Sequence, residues 1–277
     1  MRRARTTTTF AIVGTAMMIG MGTLLPRRAA AQASQSDDWQ FQATIYGYLP
    51  SLGGSTKFPS PGGDINVSGN KIITNLKFAF MGALEVQKGS WGGFTDVMYL
   101  NVGGSKSGTR DLAIDGKPLP AGITADASLD IEGSVWTVAG KYRALSEPEG
   151  NVDVFAGARV IDVKENLRWT FSGNVGPFVG PGRQGSSEAR LTNWDGIVGV
   201  KGRIGFGAKR EWFIPLYVDA GVGDSQFTWQ GIAGIGYKFG WGELIAAWRY
   251  LGYEFNSGKV IQNLNLNGPA IAVAFRW

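Results

Sequence analysis

Asp130 and Glu132 stand two residues apart in an alternating stretch, which puts both carboxylates on one side of a strand, the placement that general acid–base chemistry between paired acids requires. Two like charges there repel unless a basic neighbour or a cation matches them, so the competing reading is a pair of acids facing water at a rim. What the chain lacks narrows the chemistry further. It contains no histidine and no cysteine, so imidazole bases, Ser-His-Asp triads, thiol nucleophiles and zinc sites built on His or Cys are unavailable. Ser–Lys or paired-carboxylate chemistry is what stays open to an enzyme. Gly140-Lys141 lacks the spacing of a phosphate loop. The glycines at 196, 199, 202 and 205 recur inside a strand, where glycine leaves room for tilt, bulges or close neighbours. No motif asks for a cofactor or a metal.

The elements that must position these side chains read as strands. Alternation marks about ten segments, at 39–50, 76–87, 91–102, 127–142, 152–169, 190–204, 211–222, 226–239, 241–255 and 264–277. In the second, Leu76, Phe78, Phe80, Leu84 and Val86 share one face while Lys77, Glu85 and Gln87 share the other; in the seventh, Trp212, Ile214, Leu216, Val218 and Ala220 oppose Tyr217 and Asp219. Across the chain the polar faces collect Lys77, Glu85, Asp96, Asp153, Arg159, Asp195, Lys201, Arg203, Asp219, Glu243 and Arg249, with both signs mixed. The connections alternate in length: Lys88–Ser90, Arg143–Asn151, Gly205–Arg210 and Gly240 are short, whereas 51–75, 103–126, 170–189 and 256–263 are longer and rich in Gly, Pro, Ser and Asn. Gly223–Ser225 is a short exception.

The first residues give this pattern a destination. Arg2, Arg3 and Arg5 precede an uncharged run from Phe10 to Leu25 and a small-residue site at Ala31-Gln32-Ala33, the order of a secretory signal whose apolar core is shorter than the ~20 residues of a spanning helix. The expected domains are a signal, 1–33, and a mature body, 34–277. Arg27 and Arg28 blur the cleavage bond. The signal takes five arginines and no acids with it, which leaves 22 basic against 22 acidic residues and removes the case for a nucleic-acid partner. With 42 glycines, 10 tryptophans, no cysteine and no spanning helix after the signal, the remaining way to satisfy a backbone in lipid is a closed barrel. A soluble sandwich is the alternative architecture.

Tryptophan separates the two, because its amphipathic ring collects at membrane interfaces as girdles. Trp39, Trp91, Trp212, Trp241 and Trp277 fall at strand ends beside the short turns, and Trp169, Trp194 and Trp229 fall near the opposite rim. Only Trp136 and Trp248 come near mid-strand. The last strand, with Ile271, Val273, Phe275 and Trp277 on its apolar face, reads as a recognition strand for barrel assembly. The fold expected is therefore all-β, a transmembrane antiparallel up-and-down barrel of about ten strands, with eight or twelve as alternatives because 53–58 and 64–69 could add a hairpin.

The stretches Phe94-Thr95-Asp96-Val97-Met98-Tyr99, Gly157-Ala158-Arg159, Asp219-Ala220-Gly221, Thr228-Trp229-Gln230, Gly236-Tyr237, Trp248-Arg249-Tyr250-Leu251 and Gly268-Pro269 resemble a family of proteobacterial, porin-like outer-membrane β-barrel proteins without an assigned activity. The resemblance implies fold and outer-membrane location and carries no catalytic residues. Barrel enzymes of the omptin protease, phospholipase and lipid A deacylase or palmitoyltransferase kinds depend on histidine, so the chain cannot run those mechanisms and is expected not to be an enzyme. A barrel of about ten strands leaves a constricted lumen. Its expected content is a charge network of Glu85, Asp96, Asp153, Arg159, Asp195, Lys201, Arg203, Asp219, Glu243 and Arg249, and the alternative is a narrow path for small solutes. The partners expected are outer-membrane lipid and the barrel-assembly machinery.

Overall fold

The computed structural model describes residues 38–56, 63–108, 113–114, 117–118, 123–175, 178–179, 183–256 and 261–277, so the expected signal, 1–33, lies outside the described residues. In chain order the elements are β1 (Gln40–Tyr48), β2 (Ser51–Thr56), β3 (Gly63–Val67), the short helix α1 (Gly69–Thr74), β4 (Leu76–Lys88), β5 (Trp91–Gly108), β6 (Ala113–Ile114) and β7 (Lys117–Pro118). There follow β8 (Ile123–Glu147), β9 (Gly150–Val175), β10 (Phe178–Val179), β11 (Arg183–Phe206), β12 (Trp212–Gly223), β13 (Ser225–Lys238), β14 (Glu243–Phe255) and β15 (Ile261–Arg276).

Ten strands close an antiparallel barrel in the order β1-β4-β5-β8-β9-β11-β12-β13-β14-β15, and β15 pairs back onto β1 from Gln42↔Arg276 to Tyr48↔Ala270. Leu49-Pro50 interrupts the first strand, as a residue without an amide donor must. β2 then resumes along β15 from Asn267↔Ser51 to Ile261↔Thr56, and β3 turns back on β2 alone. The segment that carried the twelve-strand alternative thus forms a hairpin whose first arm prolongs an existing strand and whose second stands outside the ten-stranded barrel. The helix α1 inside the same segment had no counterpart in the sequence reading.

The wall is uneven. β8, β9 and β11 run 25, 26 and 24 residues, against 12, 14 and 13 for β12, β13 and β14. At about 3.3 Å per residue a 26-residue strand is about 85 Å long, far more than an apolar band about 25 Å tall needs even with a 45° tilt. Much of 103–126 and 170–189, expected as loop, continues as strand. Apolar alternation did not reveal this because beyond the lipid neither face has to be apolar. The seam between β1 and β4 is the opposite case: it pairs only from Gln40↔Gln87 to Ile45↔Gly82. Past that row the strands part, and the Tyr48 amide donates to Met81 Sδ at 3.3 Å.

The faces are those of a protein solvated by lipid. Ile45, Leu84, Val198 and Ile271 point outward and are 58 to 64% exposed, an arrangement no soluble core would tolerate over a whole sheet. Inside lie two apolar clusters, one of Phe94, Ala139, Phe155 and Ile197 with Tyr217, the other of Tyr48, Met81, Met98, Val135, Ile161, Leu251, Tyr253, Phe255, Ile261 and Leu264. Gly199 is required by the first cluster: a Cβ on it would stand 2.5 Å from Phe155 Cζ and 2.4 Å from the Val218 carbonyl oxygen.

Candidate functional site in the lumen

Strand parity delivers polar side chains inward from nearly every strand, and the distance of each from the short-turn end sets its level. At that end, which in barrels of this type faces the periplasm, three carboxylates each serve two cations. Glu243, at the start of β14, accepts from Arg203 Nη1 at 2.9 Å and lies 3.4 Å from Arg276 Nη2. Asp153, near the start of β9, accepts from Lys141 Nζ at 2.7 Å and from Arg143 Nε at 2.7 Å. Glu85 on β4 is bonded to both Lys141 and Lys201. Lys201 also sits over the Phe94 ring at 4.7 Å, and the Arg203 guanidinium lies 3.8 Å from the Phe213 ring centre. A cavity of about 550 Å³ opens among Gln42, Thr44, Glu85, Lys201, Arg203 and Glu243.

About six residues further along β9 and β14, two guanidinium pairs cross the lumen. Arg159, fully buried, grips Asp219 through both terminal nitrogens, Nη1 at 3.0 Å from Oδ1, while its Nε donates to Thr137 Oγ1 at 3.2 Å. The Tyr217 hydroxyl completes the shell of Asp219 at 2.6 Å. Arg249 donates to Asp96 at 3.0 Å, to the Tyr46 hydroxyl at 2.8 Å and to Gln230 at 2.8 Å; Tyr46 in turn donates to Asp96 at 2.9 Å. Every buried charge here has a partner and added hydrogen bonds, the condition under which such groups are tolerated. Above this level the larger apolar cluster fills the lumen, joined to the network where the Tyr48 hydroxyl donates to the Arg249 carbonyl at 3.1 Å. Asp195 stands apart, held by the Ser225 amide at 2.8 Å and its hydroxyl at 2.9 Å.

Of the ten residues expected to form the lumen network, nine therefore meet in these two levels and Asp195 does not. Lys77, read as inward, belongs outside: the register shifts between Leu76 and Phe78, and its ammonium pairs with Asp130 at 2.6 Å with over half of the side chain exposed. The expected network did not include Lys141, Arg143, Tyr46 and Arg276, and Tyr217, placed on the inward face, was given no role in it. Lys141 and Arg143 carried a signal, since they continue the parity of Thr137 and Ala139 on β8. Asp130 and Glu132 occupy the outward face of β8, where Asp130 serves Lys77 and Glu132 accepts from Asn101 Nδ2 at 3.3 Å. Each acid has its own partner, so they do not share a proton. Among the described residues no group of three metal-ligating side chains converges.

The aromatic residues ring the short-turn end in runs of stacked, edge-on and tilted pairs. Phe206, Trp212, Tyr237, Phe239, Trp241 and Phe275 follow one another at centroid separations of 4.7 to 6.5 Å, and Trp39, Phe41 and Trp277 form a second run at 5.9 to 6.3 Å. Trp91 packs edge-on against Tyr142. At the other rim Trp194 is exposed and Trp229 stacks on Tyr250 at 4.4 Å. The Trp169 side chain lies outside the description. Trp136 and Trp248 also face outward, each with its indole N–H bound, to Thr95 at 2.7 Å and Asn267 at 2.6 Å. Ile271, Val273 and Phe275 share the outward face of β15, and Trp277 follows directly after its end.

No protein-family model and no curated protein matches the chain. Among solved structures it is similar to the outer-membrane protease OmpT from Escherichia coli, with a TM-score of 0.52, 10% identity, and coverage of 87% of this chain and 97% of that one. The translocator domain of the autotransporter NalP from Neisseria meningitidis aligns over 88% of this chain and 90% of its own at 14% identity and TM-score 0.37. Neisserial surface protein A aligns over 86% and 97% at 11% identity and TM-score 0.29. At these identities the likeness concerns the fold, that of a bacterial outer-membrane barrel.

Proposed function

We propose that this outer-membrane-type barrel is an integral protein of the bacterial outer membrane that anchors itself by its girdled wall and makes envelope or surface contacts through its long outer strands, with a lumen too constricted to serve as an open pore. The observation that carries the reading is the sealed section of the lumen: Leu251, Tyr48 and Tyr253, each at most 2% exposed, with Met81 and Met98 pack across it directly above the crossed Arg159–Asp219 and Arg249–Asp96 pairs. Binding function concentrates on segments held by a rigid scaffold, and the prolonged β5–β8–β9–β11 wall is such a platform. We infer further that the protein is not an enzyme. A chain without histidine has no imidazole base, and the paired acids Asp130 and Glu132 are each engaged with a partner of their own. Recording from the purified protein in planar bilayers tests the reading: no reproducible single-channel steps are expected. Steps whose size changes in Arg159→Ala or Asp96→Ala would replace it by the second reading, a narrow diffusion path, which the cavity at the short-turn end favours.

A further inference from the structure

The short-turn vestibule holds more positive than negative charge. Five cations, Lys141, Arg143, Lys201, Arg203 and Arg276, meet three acids, Glu85, Asp153 and Glu243, and each acid is already shared by two cations. The Arg249–Asp96 pair at the ceiling balances itself. At the rim a main-chain oxygen of Trp277 accepts from the Phe41 amide at 2.9 Å, and the side chains of the vestibule keep an excess of two positive charges. The side chains that line the opening keep part of their surface exposed, 19% for Arg143, 20% for Arg203, 24% for Lys201 and 46% for Arg276. One nitrogen of Arg203 reaches Glu243, the Phe213 ring holds the guanidinium plane, and the side chain lines the cavity of about 550 Å³. Arg276 is similarly steered, its Nε on Gln42 Oε1 at 2.8 Å.

From this geometry we infer that the vestibule is a binding site for a small oxyanion of two charges, a phosphate or a dicarboxylate, held by Arg203 and Arg276 on one side and Lys201 on the other. Charges of one sign at the mouth of a low-dielectric cleft focus their field into it and raise the local concentration of counter-ions. Guanidinium forks match carboxylate and phosphate oxygens with paired hydrogen bonds. Glu243 is then a competitor for the same donors, which sets the sign of one substitution against the other. The site lies below the sealed section, so it stands whether or not the lumen conducts.

Calorimetric titration of the purified full-length protein in lipid nanodiscs at low ionic strength tests this, with inorganic phosphate and succinate as probes and chloride at matched ionic strength as the control. Saturable binding of at least one probe is expected, weakened about tenfold in Arg203→Gln or Arg276→Gln, since each removes a charged donor. Glu243→Gln frees two guanidinium groups and is expected to tighten binding several-fold. Gel mobility without heating verifies that each variant is folded, and if Arg276→Gln fails that check, Arg203→Gln and Glu243→Gln decide. Heats no different from chloride, indifference to Arg203→Gln, or weaker binding in Glu243→Gln would overturn the site. A preference between the two probes identifies which oxyanion it takes.

Discussion

Replacing Arg159 by methionine perturbs the most enclosed charge in the protein. The guanidinium has no solvent exposure and fastens on Asp219, itself 2% exposed, through two hydrogen bonds, with a third to Thr137. Without it the carboxylate keeps, among the described residues, the Tyr217 hydroxyl at 2.6 Å. Breaking a buried pair by removing one partner costs about 3–5 kcal/mol, whereas replacing both partners by apolar groups of similar volume is close to neutral or stabilising. Arg159→Met should therefore lose about 3–5 kcal/mol, and the double substitution with Asp219→Leu should recover most of it. Urea unfolding in phospholipid vesicles, followed by tryptophan fluorescence, gives the stabilities from midpoint and slope. A single-variant loss below about 1 kcal/mol, the worth of an exposed pair, would refute the reasoning and mean that water reaches this level of the lumen. A double variant no more stable than the single one would refute the pairing instead.

Gly199→Val places a side chain where Phe155 Cζ already stands 2.5 Å from an ideal Cβ, so the same unfolding assay should show a loss of about 1–3 kcal/mol, part of it restored by the second-site change Phe155→Leu. Trp277→Asp breaks the stacked run with Phe41 at 5.9 Å and puts a charge in the interfacial ring. Outer-membrane fractions should then contain less folded barrel than wild type, while variant that does insert keeps the wild-type lumen properties; normal levels in the membrane would count against the role given to this strand.

Most of the barrel could be read from the residues because lipid imposes a two-sided rule on each strand. Ile214, Leu216 and Val218 facing Tyr217 and Asp219 is enough to fix both the type of β12 and the side that meets the lumen. The rule fails wherever lipid no longer enforces it. The outer end of β11 alternates polar with polar or glycine over Arg183–Glu188, inside a stretch expected as loop, and only cross-strand pairing reveals that it remains strand: Gln184 pairs with Thr170 and Ser186 with Arg168. Bulges defeat it too. The shift between Leu76 and Phe78 carries Lys77 to the outside, and no feature of the local sequence announces it. The lumen partners were the least legible part, because Arg249 and Asp96 are joined across the barrel from positions 153 residues apart, a relation set by closure and not by spacing.

The junction of β1 with β4 has a mechanical meaning. It holds from Gln40↔Gln87 to Ile45↔Gly82, while β8 and β9 are laced from Ile123↔Gly173 to Glu147↔Gly150. Peeling two staves apart breaks the ladder bond by bond, so the work of opening scales with the rows that must be undone, and it is least here. Beyond Ile45 no rows pair these two strands, and the amide-to-sulfur contact between Tyr48 and Met81 bridges them. By this count of rows, lateral tension in the bilayer opens the cylinder first along this line.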